Sequence, residues 1–257
     1  MRRLESEKMA SEENLEALAE DLWSGSGIDC CFPRNVERAI AMTLPLAIVK
    51  LPQLHSENVK AWMNRRGVQI ALPDGCLDLM GCLVAHRGRG LVFVCGSDDP
   101  REQRLTIAHE AAHFLLDYLH PRRQVIEALG AGVEDVLDGL RAASPAERAG
   151  AVLSHIRLGP HIHVLPRGDR EENSVPLLCR ESRADELAIE FVAPKSCVSG
   201  LYRELLSRRV SERDAIDKLA NHFGLPAYLF EFAIQKIERR RPVSFLREAI
   251  PRIRGSS

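Results

Sequence analysis

The chain has no excess of either charge: 35 Lys and Arg stand against 36 Asp and Glu, for a net charge of −1. No global field draws it to nucleic acid or anionic lipid, so any such surface must be local. It has no CxxC pair, and its seven cysteines are odd in number. That argues against a disulfide framework and for reduced thiols in a cytosolic, cytoplasmic protein. Nowhere do 18 uncharged apolar residues follow one another, and the opening stretch MRRLESEKMASEENLEAL carries no apolar leader-like run. Membrane spanning and secretion are disfavoured, and no membrane partner is expected. Internal repeats and low-complexity tracts are also missing. What is present is 257 residues, 45% hydrophobic and 28% charged, enough for a sizeable core in one large domain or two modest ones.

Punctuation organises the rest. Residues 1–27 read as a polar N-terminal segment or helix, loosely attached, that breaks at Ser24-Gly25-Ser26-Gly27. A helical stretch at Asn35–Met42 precedes strand-like runs at Leu46–Leu51, Gly67–Leu72, Cys76–Val84 and Leu91–Cys95, separated by Pro-Asp-Gly and Arg-Gly-Arg-Gly turn signals. These predict a small, mostly antiparallel sheet. Asp99 then suits an N-cap, with Pro100 at the first helical position and Glu102 three residues past the cap, so a helix is expected from Pro100 to Tyr118. Its apolar residues run around nearly the whole circumference, which predicts a central, buried element. Residues 121–160 suggest one or two helices, and GPHIHVLPRGDREENS reads as an exposed, mobile loop. Further helices are expected at Pro176–Ala193, Glu212–Phe223 and Ala227–Arg239, the last two joined by Gly224-Leu225-Pro226.

The chemistry sits in His109-Glu110-Ala111-Ala112-His113. Histidines four apart share one face of a helix, so both imidazoles can hold one ion while the intervening Glu110 reaches a metal-bound water. Two histidines inside an apolar helix each need a polar partner, and one ion would serve both; hydrogen-bonded core histidines are the bland alternative. A third ligand must come from elsewhere. On the helix ESRADELAIEFVAP, Glu181 falls among Ala184, Ala188, Phe191 and Val192, Asp185 lies at the edge of that face, and Glu186 and Glu190 point away. Glu181 is the expected metal ligand, with a structural ion pair as the alternative. Asp185 and Asp117 are candidates for outer carboxylates that orient the ligand histidines, Asp117 equally well a solvated helix end. Tyr118, His120, His161, His163 and Tyr202 are nominees for stabilising an oxyanion, although the His161-Ile162-His163 pair reads more simply as an exposed, uninvolved part of its loop.

Residues 101–115 resemble the R-F-T-x-A-H-E-x-x-H core of the ImmA/IrrE family of zinc metallopeptidases, and 181–194 resemble that family's E-x-x-A-N/D-x-F-A-x-x-L-L-M-P helix in register, its glutamate ligand falling on Glu181. The resemblance spans about residues 30–240 and is strongest at these two segments. Leu187 and Ala193 depart from the usual Phe and Met, a matter of packing. Glu181 lies 68 positions after His113, so 121–175 reads as a helical insertion.

The resemblance implies an α+β fold with a zincin-like metallopeptidase core at 28–199: the small sheet, the buried HExxH helix, a second ligand-bearing helix, and then a helical C-terminal region at 200–257 with a basic tail. It implies Zn2+ held by His109, His113 and Glu181, Glu110 as general base, and a protein substrate, commonly a helix-turn-helix transcriptional repressor controlling stress response, mobile elements or phage. No N-terminal helix-turn-helix is apparent, so the target would be a separate protein. Two other readings stay open. One is a non-catalytic module that binds a regulator. The other is a DNA-binding regulator using the C-terminal helices and the Arg-rich end, disfavoured because Tyr228, Leu229, Phe230 and Phe232 offer little to base edges and direct nucleic-acid binding is not expected.

Overall fold

The computed structural model describes residues 15–29, 31–73, 75–153, 159–168 and 175–239. The chain is α+β. Its helical elements in order are α1 over 15–26, α2 (Val36–Thr43), α3 (Ser56–Asn64), α4 (Pro100–His113), a π-helical stretch Phe114–Leu119, α5 (His120–Leu129), a 3-10 turn Ala131–Val133, α6 (Glu134–Leu137), α7 (Pro145–Leu153), α8 (Val175–Val192), α9 (Lys195–Ser207), α10 (Glu212–Phe223) and α11 (Ala227–Arg239). The strands are β1 (Leu46–Leu51), β2 (Leu79–His86), β3 (Arg89–Cys95) and β4 (His161–Pro166). Two compact units divide the chain, one of Met1–Thr43, Asp98–His109 and Gly168–Ser257, the other of Leu44–Ser97 and Glu110–Arg167.

The second unit is built on a mixed four-stranded sheet of order β1-β3-β2-β4. β1 pairs parallel with β3, while β2 runs antiparallel to both β3 and β4. Central β2 is buried along all but its last residue, as a strand covered on both faces must be. The β2–β3 hairpin turns on Arg87 (φ 52°) and Gly88 (φ 72°), the two left-handed residues that match the twist of flanking strands. Gly88 N–H donates to the Tyr118 hydroxyl at 2.7 Å. Beneath the sheet, Leu54, Val59, Met63, Leu79 and Phe93 form the core, with Trp62 set edge-on to Phe93. A smaller cluster of Val125, Val133, Val136 and Leu137 forms part of 121–175, and buried Arg122 is held there by Asp138 at 2.8 Å.

Gly90 begins the contact between β3 and its surroundings. A Cβ there would stand 2.5 Å from Leu46 Cδ1 and 2.9 Å from the Phe114 ring, closer than carbon atoms tolerate. Gly90→Ala should therefore destabilise the fold by about 1–3 kcal/mol, read as a lower urea midpoint with unchanged slope. An unchanged midpoint would show that the ring and Leu46 yield freely.

The first unit is helical. Leu15, Ala19, Leu22 and Trp23 are buried, a stripe at i, i+4, i+7 and i+8. The expectation of a loosely attached segment over 1–27 therefore fails for the residues from 15 onward, while residues 1–14 lie outside the described ones. Trp23 Nε1 donates to Phe191 O at 2.9 Å, and Arg34 lies over the Trp23 and Phe32 rings. Ser211 caps α10 by accepting from Asp214 N–H, and Gly224 closes it in the left-handed conformation (φ 63°, ψ 43°). The apolar faces of α10 and α11 are spent on packing: Leu219, Phe223, Leu229, Phe230 and Ile234 are all buried. The basic tail beyond Arg239 lies outside the described residues. Arg101 donates to Asn221, Arg104 to the Gly224 carbonyl, and the Tyr228 hydroxyl to Glu102 at 2.8 Å. These bonds anchor the first turns of α4. Buried next to the Glu102 charge, the Tyr228 phenol has its pKa pushed well above the usual tyrosine value, so it stays the donor.

Four expectations need correcting. The helix expected over Pro100–Tyr118 is α-helical only to His113 and continues as π-helix; Pro121 has no N–H for the carbonyl of Asp117, so the regular ladder cannot run through. The expected strand Gly67–Leu72 is irregular, although Leu72 is buried, and α3 stands where no helix was expected. The loop expected at GPHIHVLPRGDREENS contains β4, an edge strand of the sheet. Glu190, expected to point away, is buried because α9 folds back onto it and the Lys195 N–H donates to its carboxylate. Burial raises the pKa of that carboxyl, opposed by the Lys195 amide.

Candidate metal centre

Helix α4 starts where the sequence says it should: Arg101 N–H donates to Asp99 Oδ1 at 2.8 Å, with Pro100 in the first turn. Ala108, Ala111 and Ala112 are fully buried beside the three polar residues of the motif, and His109, Glu110 and His113 are themselves at most 1% exposed. Burying two imidazoles and a carboxylate is expensive unless each finds a partner. Each does.

In the first unit, His109 lies against α8, where Glu181 and Asp185 are one turn apart and buried. His109 Nδ1 is 3.1 Å from Asp185 Oδ1, and its Nε2 is 3.7 Å from Glu181 Oε2. The Nδ1 contact with Asp185 is an ion-pair distance and not an aligned hydrogen bond. The 3.7 Å gap is too long for a hydrogen bond, yet near the ~3.4 Å that separates two ligand atoms on one tetrahedral zinc with bonds of about 2.0–2.1 Å.

In the second unit the same pattern recurs twice. His113 Nδ1 is 2.7 Å from Asp117 Oδ2, and His163 Nδ1 is 2.8 Å from Glu110 Oε2. The His113 and His163 rings stack with centroids 3.7 Å apart and planes at 21°. Glu110 Oε1 is buried with no hydrogen-bond partner among the described residues. Its charge helps burial raise the pKa of the Cys82 thiol well above the usual value, so that sulfur stays a neutral core group.

His109, His113, His163 and Glu181 each offer a ligand atom, and these atoms all lie within 4.8 Å of one another, so the group could hold a metal ion. Of the residues singled out in the sequence, His109, His113 and Glu181 fall in this group. Glu110, Asp117 and Asp185 fall against its histidines. Tyr118, by contrast, is engaged at the β2–β3 turn, and burial lowers the pKa of His120. His163 is the residue undervalued from sequence. Its signal was the alternation in His161-Ile162-His163-Val164: Ile162 and Val164 pack against the core, so the histidines occupy the other face of the strand.

The chain matches no protein-family model, no curated protein and no solved structure.

Proposed function

We propose that the chain is a zinc-dependent endopeptidase with a zincin-like core, hydrolysing a peptide bond in a protein regulator of the helix-turn-helix repressor class in the cytoplasm. The observation that carries this reading is His109, with Nδ1 3.1 Å from Asp185 and Nε2 3.7 Å from a buried Glu181 carboxylate. A divalent cation bound by that nitrogen and that carboxylate would find them at ordinary ligand spacing, and its charge would favour the buried acid. His109, His113 and Glu181 would hold the ion, a donor set that suits zinc. When bound, zinc supplies a Lewis acid for the scissile carbonyl and an acidified water.

The remaining work falls to the chain's own side chains. Glu110 Oε1 takes the proton of the attacking water and delivers it to the leaving amide nitrogen. Asp117 fixes the tautomer and ring plane of His113 through its hydrogen bond to Nδ1, and Asp185 holds the His109 ring by its charge at 3.1 Å. Asp185→Asn and Asp117→Asn should each lower zinc affinity about 10- to 100-fold in a chelator competition. Wild-type affinity in both would remove them from the site.

The repressor class comes from the resemblance of 101–115 and 181–194 to ImmA/IrrE peptidases. Its test is incubation of the zinc-loaded chain with a purified helix-turn-helix repressor encoded beside it. Discrete fragments that Glu110→Gln does not produce support the proposal. An intact repressor, or equal cleavage by Glu110→Gln, overturns it. A second reading draws on His163: four protein ligands make the closed shell of a structural metal site, which would suit a regulator-binding module.

A further inference from the structure

We infer that His163 is the positioning residue of the general base: its Nδ1–H holds Glu110 Oε2, leaving Oε1 as the oxygen that moves the proton. This rests on the peptidase reading above, but its geometry stands independently. Glu110 is fully buried, and one of its carboxylate oxygens is anchored by the 2.8 Å contact from His163, whose side chain is 14% exposed. The other carboxylate oxygen is buried without a partner among the described residues. A carboxylate pinned at one oxygen and bare at the other has lost the rotational freedom that would blur a proton-transfer geometry.

His163 is itself well placed to do this. Its strand pairs with central β2, with His163 opposite Leu83, and the apolar packing of Ile162 and Val164 fixes which face the histidine takes. Its ring is stacked on His113, whose Nδ1 is in turn held by Asp117. The donor to Glu110 thus sits on a strand, with its ring against a helical residue, and not on a loop.

The same stacking argues against His163 as a fourth ligand. Two imidazoles bound to one tetrahedral zinc splay apart, which places their ring centroids about 5 Å from each other given bonds of about 2.0–2.1 Å. Here the centroids are 3.7 Å apart and the planes nearly parallel. Closeness of ligand atoms is met by four residues, but the angular demand of one ion is not met by His113 and His163 together. In the reaction His163 keeps its Nδ1 proton throughout. One water proton passes to Glu110 Oε1 and on to the amide nitrogen, so protons balance.

The test uses the zinc-loaded full chain as wild type, His163→Ala, His163→Asn, Glu110→Ala and Glu110→Gln. Asn can place an amide N–H near the position of Nδ1, so it retains the donor without offering an imidazole. With a quenched-fluorescent peptide chosen from a random pool by wild-type cleavage, His163→Ala should lose about 100-fold in kcat with KM unchanged, and His163→Asn should recover most of it. Zinc affinity and the visible spectrum of the cobalt-substituted protein should be unchanged in both. In nitrogen-15 spectra of the imidazoles, His163 should carry its proton on Nδ1 in wild type and lose that fixed tautomer in Glu110→Ala. A tenfold or greater loss of zinc affinity, or an altered cobalt spectrum, in His163→Ala would make it a ligand and overturn the inference. So would equal loss of kcat in the Ala and Asn variants. Full cleavage by Glu110→Gln would instead sink the peptidase reading, and the imidazole spectra alone would then decide whether His163 holds Glu110.

Discussion

Glu110→Gln should bind zinc as tightly as the wild type and lose hydrolysis by about 10²- to 10⁴-fold, the range that a positioned acid–base group contributes. The substitution is nearly isosteric, so the fully buried site keeps its packing. The amide oxygen can still accept from His163, so that contact survives as well. Only the capacity to take a proton is removed. A change in kcat with metal content held constant separates this from any loss of fold or metal. Activity within a few-fold of wild type would show that Glu110 is not the base, whatever its distance from His163.

His109→Ala and Glu181→Ala should each lower zinc affinity by more than ~100-fold, beyond the range for removing an outer carboxylate. In His109→Ala the loss is compounded, because Asp185 and Glu181 both stay buried without the imidazole between them. Buried carboxylates that lose the imidazole they face are less well compensated, so the metal-free variant should melt below the metal-free wild type. Zinc should raise the melting temperature of the wild type, by linkage of binding to the folded state, and should fail to do so in either variant. Equal thermal stabilisation by zinc in the variants would place the ion elsewhere.

The parts of this site legible in the sequence are those set by local periodicity. His109, Glu110 and His113 are fixed by the pitch of one helix, and Glu181 by its place among the apolar residues of another. Helices α10 and α11 were readable to the residue because Gly224 and Pro226 punctuate them. β1 was equally plain as a mostly apolar run bounded by Pro45 and Pro52. What could not be read depended on distant partners. His163 reaches Glu110 only because β4 pairs with β2, about 80 positions away, and no local pattern states that register. Its short run of alternating residues, flanked by glycines and prolines, looks like a loop until a neighbouring strand supplies the ladder. Gly67–Leu72 shows the converse, a strand-like run that finds no ladder. α3 was missed for a related reason. It is nine residues long, its N-cap is His55 with no side-chain bond, and Ser56 is engaged with Gly75 O at 2.7 Å, so the usual start signal is absent. Glu190 was misjudged because the wheel of α8 alone cannot know that α9 returns to cover it.

Among the described residues no helix is long and apolar enough to cross a membrane. The most direct measurement of the metal centre is zinc-edge X-ray absorption on the loaded wild-type chain, repeated for His163→Ala. Two imidazole nitrogens, with oxygens from one carboxylate and one water at about 2.0–2.2 Å, unchanged by the substitution, are the expected result. Three imidazoles in the wild type, or no histidine at all around the ion, would contradict it.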